Sequence, residues 1–170
     1  LRCGFAFAHR HGYERVVQVD ADLQHDPRRI PDLLQAADQT GAQLLIGSRF
    51  AGQRYPISFT RRLLMRILAR YVNRLVHTQL DDVTSGFRVI SQPLLSRFAD
   101  AYPSDYLGDT VEAILLAGEF GATIAQVPAA MSTRTAGRGT TGFQAAGYLL
   151  RTGLALAIGS WRTRSRQLGT

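Results

Sequence analysis

The stretch from Arg15 to Pro27, Arg-Val-Val-Gln-Val-Asp-Ala-Asp-Leu-Gln-His-Asp-Pro, constrains the fold of this chain more than any other. Val16, Val17 and Val19 form the β-branched run expected of a short buried strand, and the run stops at two carboxylates separated by one residue. In an extended chain, side chains two positions apart point the same way. Asp20 and Asp22 can therefore present oxygens to one hard cation, with Gln24 next in line. Mg²⁺ or Mn²⁺ suits such donors, and an ion held this way keeps waters and completes its shell with substrate phosphates. Taken alone, the triplet reads equally well as a polar turn. Its surroundings add weight to the ligand reading. Asp26 is placed as an N-cap and Pro27 as the first helical residue, and Ile30, Leu33, Leu34 and Ala37 then recur at helical spacing to about Gln39. A carboxylate pair between a buried strand and a capped helix lies where open α/β sheets bind ligands.

The following segments repeat the alternation. Thr40-Gly41 closes the helix, and Leu44-Leu45-Ile46 is expected as a second buried strand that ends in Gly47-Ser48-Arg49-Phe50. A strand, helix, strand order predicts two parallel strands, which puts Arg49 on the same edge as Asp20 and Asp22. There it would meet a phosphate or simply close a turn. Residues 51–58 read as a loop. The spacing then predicts a helix from Thr60 to His77, with Leu64, Leu68, Tyr71 and Leu75 on one face and Ile67, Val72 and Val76 widening it. Arg62, Arg66, Arg70 and Arg74 recur every fourth residue and form a cationic stripe with no acidic residue in the helix. Such a stripe invites an external anion, a membrane phospholipid or an anionic substrate, unless it is a solvated face.

In Asp81-Asp82-Val83-Thr84-Ser85-Gly86-Phe87-Arg88-Val89-Ile90, carboxylates precede a small-residue turn and an apolar strand. Gly86 permits a backbone approach that a side chain would block, and Asp82 and Arg88 are expected to face a substrate from opposite sides of it. Asp82 capping a tight turn is the plainer alternative. A helix is expected from Ser104 to Gly118, with Leu107, Val111, Ile114 and Leu115 inward and Asp109 and Glu112 on another face. Glu112 is a candidate acid/base or an exposed helical glutamate. Gly121 leads into a strand from Thr123 to Val127, broken by Pro128. The Gly-, Ser-, Thr- and Arg-rich stretch from Met131 to Gly142, which holds Arg134 and Arg138, can cradle phosphate oxygens and close over a substrate, or serve as a linker. Phe143 to Trp161 is largely apolar but carries Arg151 and is followed by Arg162, Arg164 and Arg166, which suits a helix in the headgroup region as well as a core helix.

The chain has 170 residues, 45% hydrophobic and 19% charged, enough for one domain with a real core. All 20 basic residues are arginine, and against 13 acidic residues they leave a formal charge of +7. Guanidinium forks suit phosphate, pyrophosphate and lipid headgroups, so anionic partners are expected, though coding bias alone could also favour arginine. Aromatic residues are not interleaved with the arginines, which argues against nucleic acid. The single cysteine, Cys3, excludes an internal disulfide, and no run of 18 or more uncharged apolar residues marks a spanning helix.

Together the segments resemble the family 2 glycosyltransferases of GT-A fold, especially the dolichyl- and polyprenyl-phosphate sugar transferases. The matching residues are Val-Asp-Ala-Asp-Leu-Gln-His-Asp-Pro at 19–27, Gly-Ser-Arg-Phe at 47–50, Ser-Gly-Phe-Arg at 85–88 and the arginine-rich loop at 134–139. The resemblance implies an α/β, Rossmann-like and mostly parallel sheet flanked by helices. Residues 1–142 would be the C-terminal portion of that domain, and 143–170 an amphipathic tail suited to a membrane surface. It implies a metal-dependent, inverting transfer of a sugar from a nucleotide-sugar donor to a polyprenyl phosphate or a glycan precursor, at the cytoplasmic face of the cell membrane. Asp20, Asp22 and Gln24 would hold Mg²⁺ or Mn²⁺. Arg49, Arg134 and Arg138 would meet phosphates, Ser85, Gly86 and Arg88 would line the substrate, and Asp82 or Glu112 would act on the acceptor side. The family's first strands, which supply the nucleoside pocket, have no counterpart here. The sequence is therefore expected to be a fragment of a longer transferase that binds nucleotide poorly by itself and exposes a sheet edge. Two rival readings are a metal-dependent phosphohydrolase with Asp20 as nucleophile, and a non-catalytic basic module at a membrane surface.

Overall fold

A computed structural model describes residues 1–22, 24–50, 58–102 and 109–129. Among them α1 (Arg2–Arg10), β1 (Arg15–Gln18), α2 (Ile30–Thr40), β2 (Leu44–Ser48), α3 (Phe59–Val76), β3 (Arg88–Ser91), α4 (Leu94–Ala101), α5 (Asp109–Glu119) and β4 (Ile124–Pro128) follow in order. The strands form one partly parallel sheet in the order β1-β3-β2-β4. β3 is antiparallel to both β1 and β2, while β4 is parallel to β2. β1 and β2 consequently run the same way, as the sequence order suggests, but are not neighbours: the later β3 lies between them.

Alternation along the strands divides the core. Leu45, Phe87 and Val89 join Leu33 and Ala37 of α2 and Ala42 in one apolar cluster. Leu44, Ile46 and Ile90, one residue out of step, are equally buried. α4 contacts β3 and α5 contacts β4, and Leu94, Leu95, Val111 and Ile114 of these helices are buried. α1 packs on α4 through an aromatic knot, with the Phe5 ring 4.8 Å from Tyr102 and 5.6 Å from Phe98.

Local signals explain the ends of α2. The Asp26 carboxylate accepts from the Arg28 N–H at 3.0 Å, Pro27 opens a single 3₁₀ turn, and Gly41 ends α2 with φ +63° while its N–H donates to the Ala37 carbonyl. β1 departs from expectation. Among the described residues it pairs on one side only, with Val16 and Val17 half-buried and Val19 beyond the strand, 37% exposed. Helix α3 also turns differently. Its buried residues are Leu68, Ala69 and Val72, whereas Ile67, Tyr71 and Leu75, expected inward, are exposed. Leu115 is only half-buried on α5. The expected segments 51–57, 104–108, 131–142 and 143–161 lie outside the described residues.

α3 and α5 approach closely because Gly118 has no side chain: a Cβ there would lie 2.8 Å from the Val76 Cβ. Gly118→Ala is expected to destabilise the fold by roughly 1–3 kcal/mol through overpacking. In a double-mutant cycle, Val76→Ala should relieve at least about 0.5 kcal/mol of that cost in denaturant melts, whereas strict additivity would contradict the contact.

Candidate functional site

One edge of the sheet collects the polar residues. β1 and β2 end there, and antiparallel β3 begins there, so the segments after Gln18, after Ser48 and before Arg88 converge. Gln18 and Ile46 both pair with Arg88. Continuing that register past the ladder sets Asp20 opposite Gly86. The side chains agree, because a Cβ on Gly86 would overlap the Asp20 carboxylate. Gly86 therefore makes room for an acid of the same protein, a closer reason for glycine than substrate approach alone.

Asp20 is exposed and Asp22 half-buried. An Asp22 carboxylate oxygen accepts from the Gln24 N–H at 3.1 Å, which folds the segment into an Asx turn. His25 is buried, its ring 4.9 Å from Phe87 and its Nδ1 without a hydrogen-bond partner among the described residues. Burial pushes the imidazole pKa below its usual value, with Arg49 acting the same way, against opposing charge from Asp20, Asp22 and Asp82.

Arg49 leaves β2 toward Asp82. Its Nε donates to one carboxylate oxygen at 2.6 Å and a terminal nitrogen to the other at 2.8 Å, a two-pronged pair. The same guanidinium reaches the Thr84 hydroxyl, and it lies 5.6 Å from the centre of the Phe50 ring. The Thr84 N–H and hydroxyl also donate to Asp82, at 3.1 and 3.0 Å. The Asp82 side chain is 0% exposed and that of Arg49 12%. Burial alone would raise the carboxyl pKa, but the bonds and charge of Arg49, helped by the Thr84 N–H, outweigh it and hold the pKa below the usual range.

Three expected substrate-facing groups thus point into the protein. Asp82 is a buried partner of Arg49. Arg88 is 1% exposed, and its Nε donates to the Ser85 carbonyl at 2.7 Å, so it braces the loop from beneath. Ser85 is equally buried, and its hydroxyl accepts from the Phe87 N–H at 3.3 Å. Ser85 and Arg88 are held by partners within their own turn, and Asp82 by Thr84 there together with Arg49 from the end of β2. Glu112 is half-buried on α5, between the buried Val111 and Ala113. Arg134 and Arg138 lie outside the described residues.

Two supports were not expected from the sequence. Gln126 of β4 accepts from the Asp81 N–H at 2.6 Å and donates to the Asp82 carbonyl at 3.0 Å. Asn73 of α3 donates to the Leu80 carbonyl and accepts from its N–H, both at 2.9 Å. For Gln126 the available signal was a polar amide within the apolar run Ile124 to Val127; Asn73, beside Arg74, gave none.

Two carboxylates, Asp20 and Asp22, have the hard oxygen chemistry that a divalent cation takes. Among the described residues there is no group of three or more His, Cys, Asp and Glu that could hold a metal ion. No described helix is long and apolar enough to cross a membrane.

Comparison with known proteins gives a consistent picture. The family model described as glycosyl transferase family 2 matches residues 2–98. An undecaprenyl-phosphate mannosyltransferase of Micrococcus luteus is 29% identical over 137 residues, covering 79% of this chain and 56% of the relative. A polyprenol monophosphomannose synthase of Mycolicibacterium smegmatis is 33% identical over 96 residues, covering 55% of this chain and 36% of the relative. The chain thus spans little more than half of the first relative and about a third of the second.

Asp82→Asn is expected to lower stability near neutral pH by roughly 3–5 kcal/mol, because it leaves Arg49 with an uncompensated charge. A carboxyl whose folded pKa is depressed contributes stability above its unfolded pKa, about 3.9, and loses that contribution as pH falls through the folded value. Urea melts across pH 3–7 should therefore show the wild type and variant converging in acid. Parallel curves would contradict the pairing.

Proposed function

The chain belongs to glycosyltransferase family 2, and from that premise we propose that it transfers a sugar from a nucleotide-sugar donor to a polyprenyl phosphate. Family 2 enzymes generally use a divalent cation. What supports the proposal is the contact of Asp20 with Gly86 at the sheet edge where β1 and β2 both end, the first followed by Asp22 and the second by Arg49, in a chain similar to two polyprenyl-phosphate mannosyl enzymes.

In this reading Asp20 and Asp22, with Gln24, hold Mg²⁺ or Mn²⁺. When bound, such an ion supplies positive charge that neutralises the departing nucleoside diphosphate. Gly86 keeps space for the Asp20 carboxylate. Arg49 adds fixed positive charge beside the carboxylates, and Asp82 is a positioning residue that sets its direction. Arg134 and Arg138 would contribute further phosphate contacts.

The state of Asp82 bears on the acceptor. A carboxylate with a depressed pKa and its oxygens occupied by Arg49 and Thr84 is a poor proton acceptor. A sugar hydroxyl would need a base, which leaves Glu112 as the remaining candidate. A lipid phosphate oxygen is already anionic and needs none. This difference favours polyprenyl phosphate over a glycan precursor, and in this reading the reaction runs at the cytoplasmic face of a membrane.

Incubating the full-length protein with labelled nucleotide sugars, Mn²⁺ and undecaprenyl phosphate should move label into the organic phase. Asp20→Asn and Asp22→Asn should each reduce the rate on the order of 100-fold. Release of inorganic phosphate from a generic ester, with no labelled lipid from any donor, would overturn the proposal in favour of a phosphohydrolase. Gly86→Ala should weaken Mn²⁺ binding, read by electron paramagnetic resonance, by about ten-fold or more while the circular dichroism is retained. Unchanged affinity would remove Asp20 from the site.

A further inference from the structure

We propose that the outward face of α3 is a docking surface for an anionic lipid bilayer. Phe59, Leu63, Ile67, Tyr71 and Leu75 are 80%, 48%, 55%, 38% and 40% exposed. They recur every fourth residue, and each of the last four is preceded by an arginine: Arg62, Arg66, Arg70 and Arg74. Single exposed apolar side chains are ordinary, but five on one helix are a patch. Four residues turn a helix by about 40° more than one full circle, so the apolar row winds slowly. Leu75 therefore lies toward a flank, while Phe59, Leu63 and Ile67 share the outermost surface with Arg66, Arg70 and Arg74. The opposite side, with Leu68, Ala69 and Val72, is buried.

Charge selects the occupant. α3 contains no acidic residue, and Arg66, Arg70 and Arg74, all exposed, make no ion pair among the described residues. Arginine heads four apart repel one another within the helix, and an external anion relieves that repulsion. A second copy of this face would set arginine against arginine, so self-association through it is disfavoured. An acidic protein would answer the charge but not the neighbouring leucine and isoleucine. A bilayer with anionic lipid answers both, taking the apolar side chains into the acyl boundary and the guanidinium groups among phosphates. At 18 residues α3 is about 27 Å long, ample for a helix lying in the plane of the surface. Asn73 of this helix holds the Leu80 backbone two residues before Asp82, so the surface helix is fastened to the segment that carries the candidate site. The inference stands on α3 alone and does not require the sugar-transfer reading.

The test uses the full chain and vesicles, with no nucleotide sugar present. The protein should sediment with phosphatidylcholine vesicles containing about one-third phosphatidylglycerol and only weakly with pure phosphatidylcholine. Replacing Arg66, Arg70 and Arg74 together by Gln should lower the partition coefficient on the order of 100-fold, about five-fold per arginine. In a Cys3→Ser background, an environment-sensitive fluorophore on Ile67→Cys should brighten and shift to the blue with the anionic vesicles, while the same label on Gln39→Cys of α2 should not. A label at 67 that stays in water while the protein sediments would overturn the proposal, because another surface would be binding. Absence of sedimentation with anionic vesicles would overturn it as well. So would a dimer in sedimentation velocity that Ile67→Ser converts to monomer, since the face would then be a protein interface.

Discussion

Asp82 is a carboxylate removed almost wholly from water, and the site depends on how that removal is tolerated. Taking either member of an ion pair out of water costs several kcal/mol, and attraction repays it only when the remaining lone pairs are also satisfied. Here they are. Arg49 supplies the two prongs and its own N–H at 3.3 Å, and Thr84 supplies an N–H and a hydroxyl. The consequence is directional. A surface arginine samples many rotamers, but one gripped at two nitrogens presents its positive charge along one line, beside the carboxylates that follow β1.

The second constraint is the placement of β3. Had β1 and β2 been adjacent, Asp20 and Arg49 would be separated by one strand spacing, with nothing between them. Antiparallel β3 enters that gap and brings its own leading turn, Asp82 to Gly86, to the same edge. The turn is then held from several sides: by Gln126 on Asp81 and Asp82, by Asn73 on Leu80, and by Arg88 from below. Buried polar groups of this kind stabilise a unique arrangement only when their partners are complete, which explains why arginine and glutamine occur within short apolar strands.

This division also explains what could be read from the residues in advance. Period and capping identified the helices at 27–39 and 60–77 and the strands near 16, 44 and 124, because those signals are local. The convergence of Asp20 with Arg49 followed from chain direction, which a strand, helix, strand order constrains strongly. The facing of Asp82 and Arg88 did not follow. Whether a polar residue at a strand start points outward or back into its own turn depends on partners such as Thr84 and Ser85, whose involvement only packing decides. His25 stood within the motif, yet its burial against Phe87 depends on a segment more than 60 residues away in the chain. For α3 the period was right and the phase was wrong. The apolar residues exceed what one face can bury, and the contact with α5 through Gly118 and Val76 selects which of them face inward.

Helix α3 thus carries more apolar surface than its packing buries. A helix that needed only to cover the core would do so with Leu68, Ala69, Val72 and Val76 and keep polar residues elsewhere. Leu63 and Ile67 at the outer surface add little to the interior and raise the risk of association, a cost that the proposed bilayer contact would offset. Arginines at every fourth position answer part of that risk by repelling a second copy while attracting phosphate. An apolar row with phosphate-binding heads is the complement of what a lipid phosphate, an apolar chain with an anionic head, presents at a membrane. On the two proposals together, the helix and the site it adjoins through Asn73 would meet one chemistry at two scales, a bilayer of anionic headgroups and a single lipid phosphate.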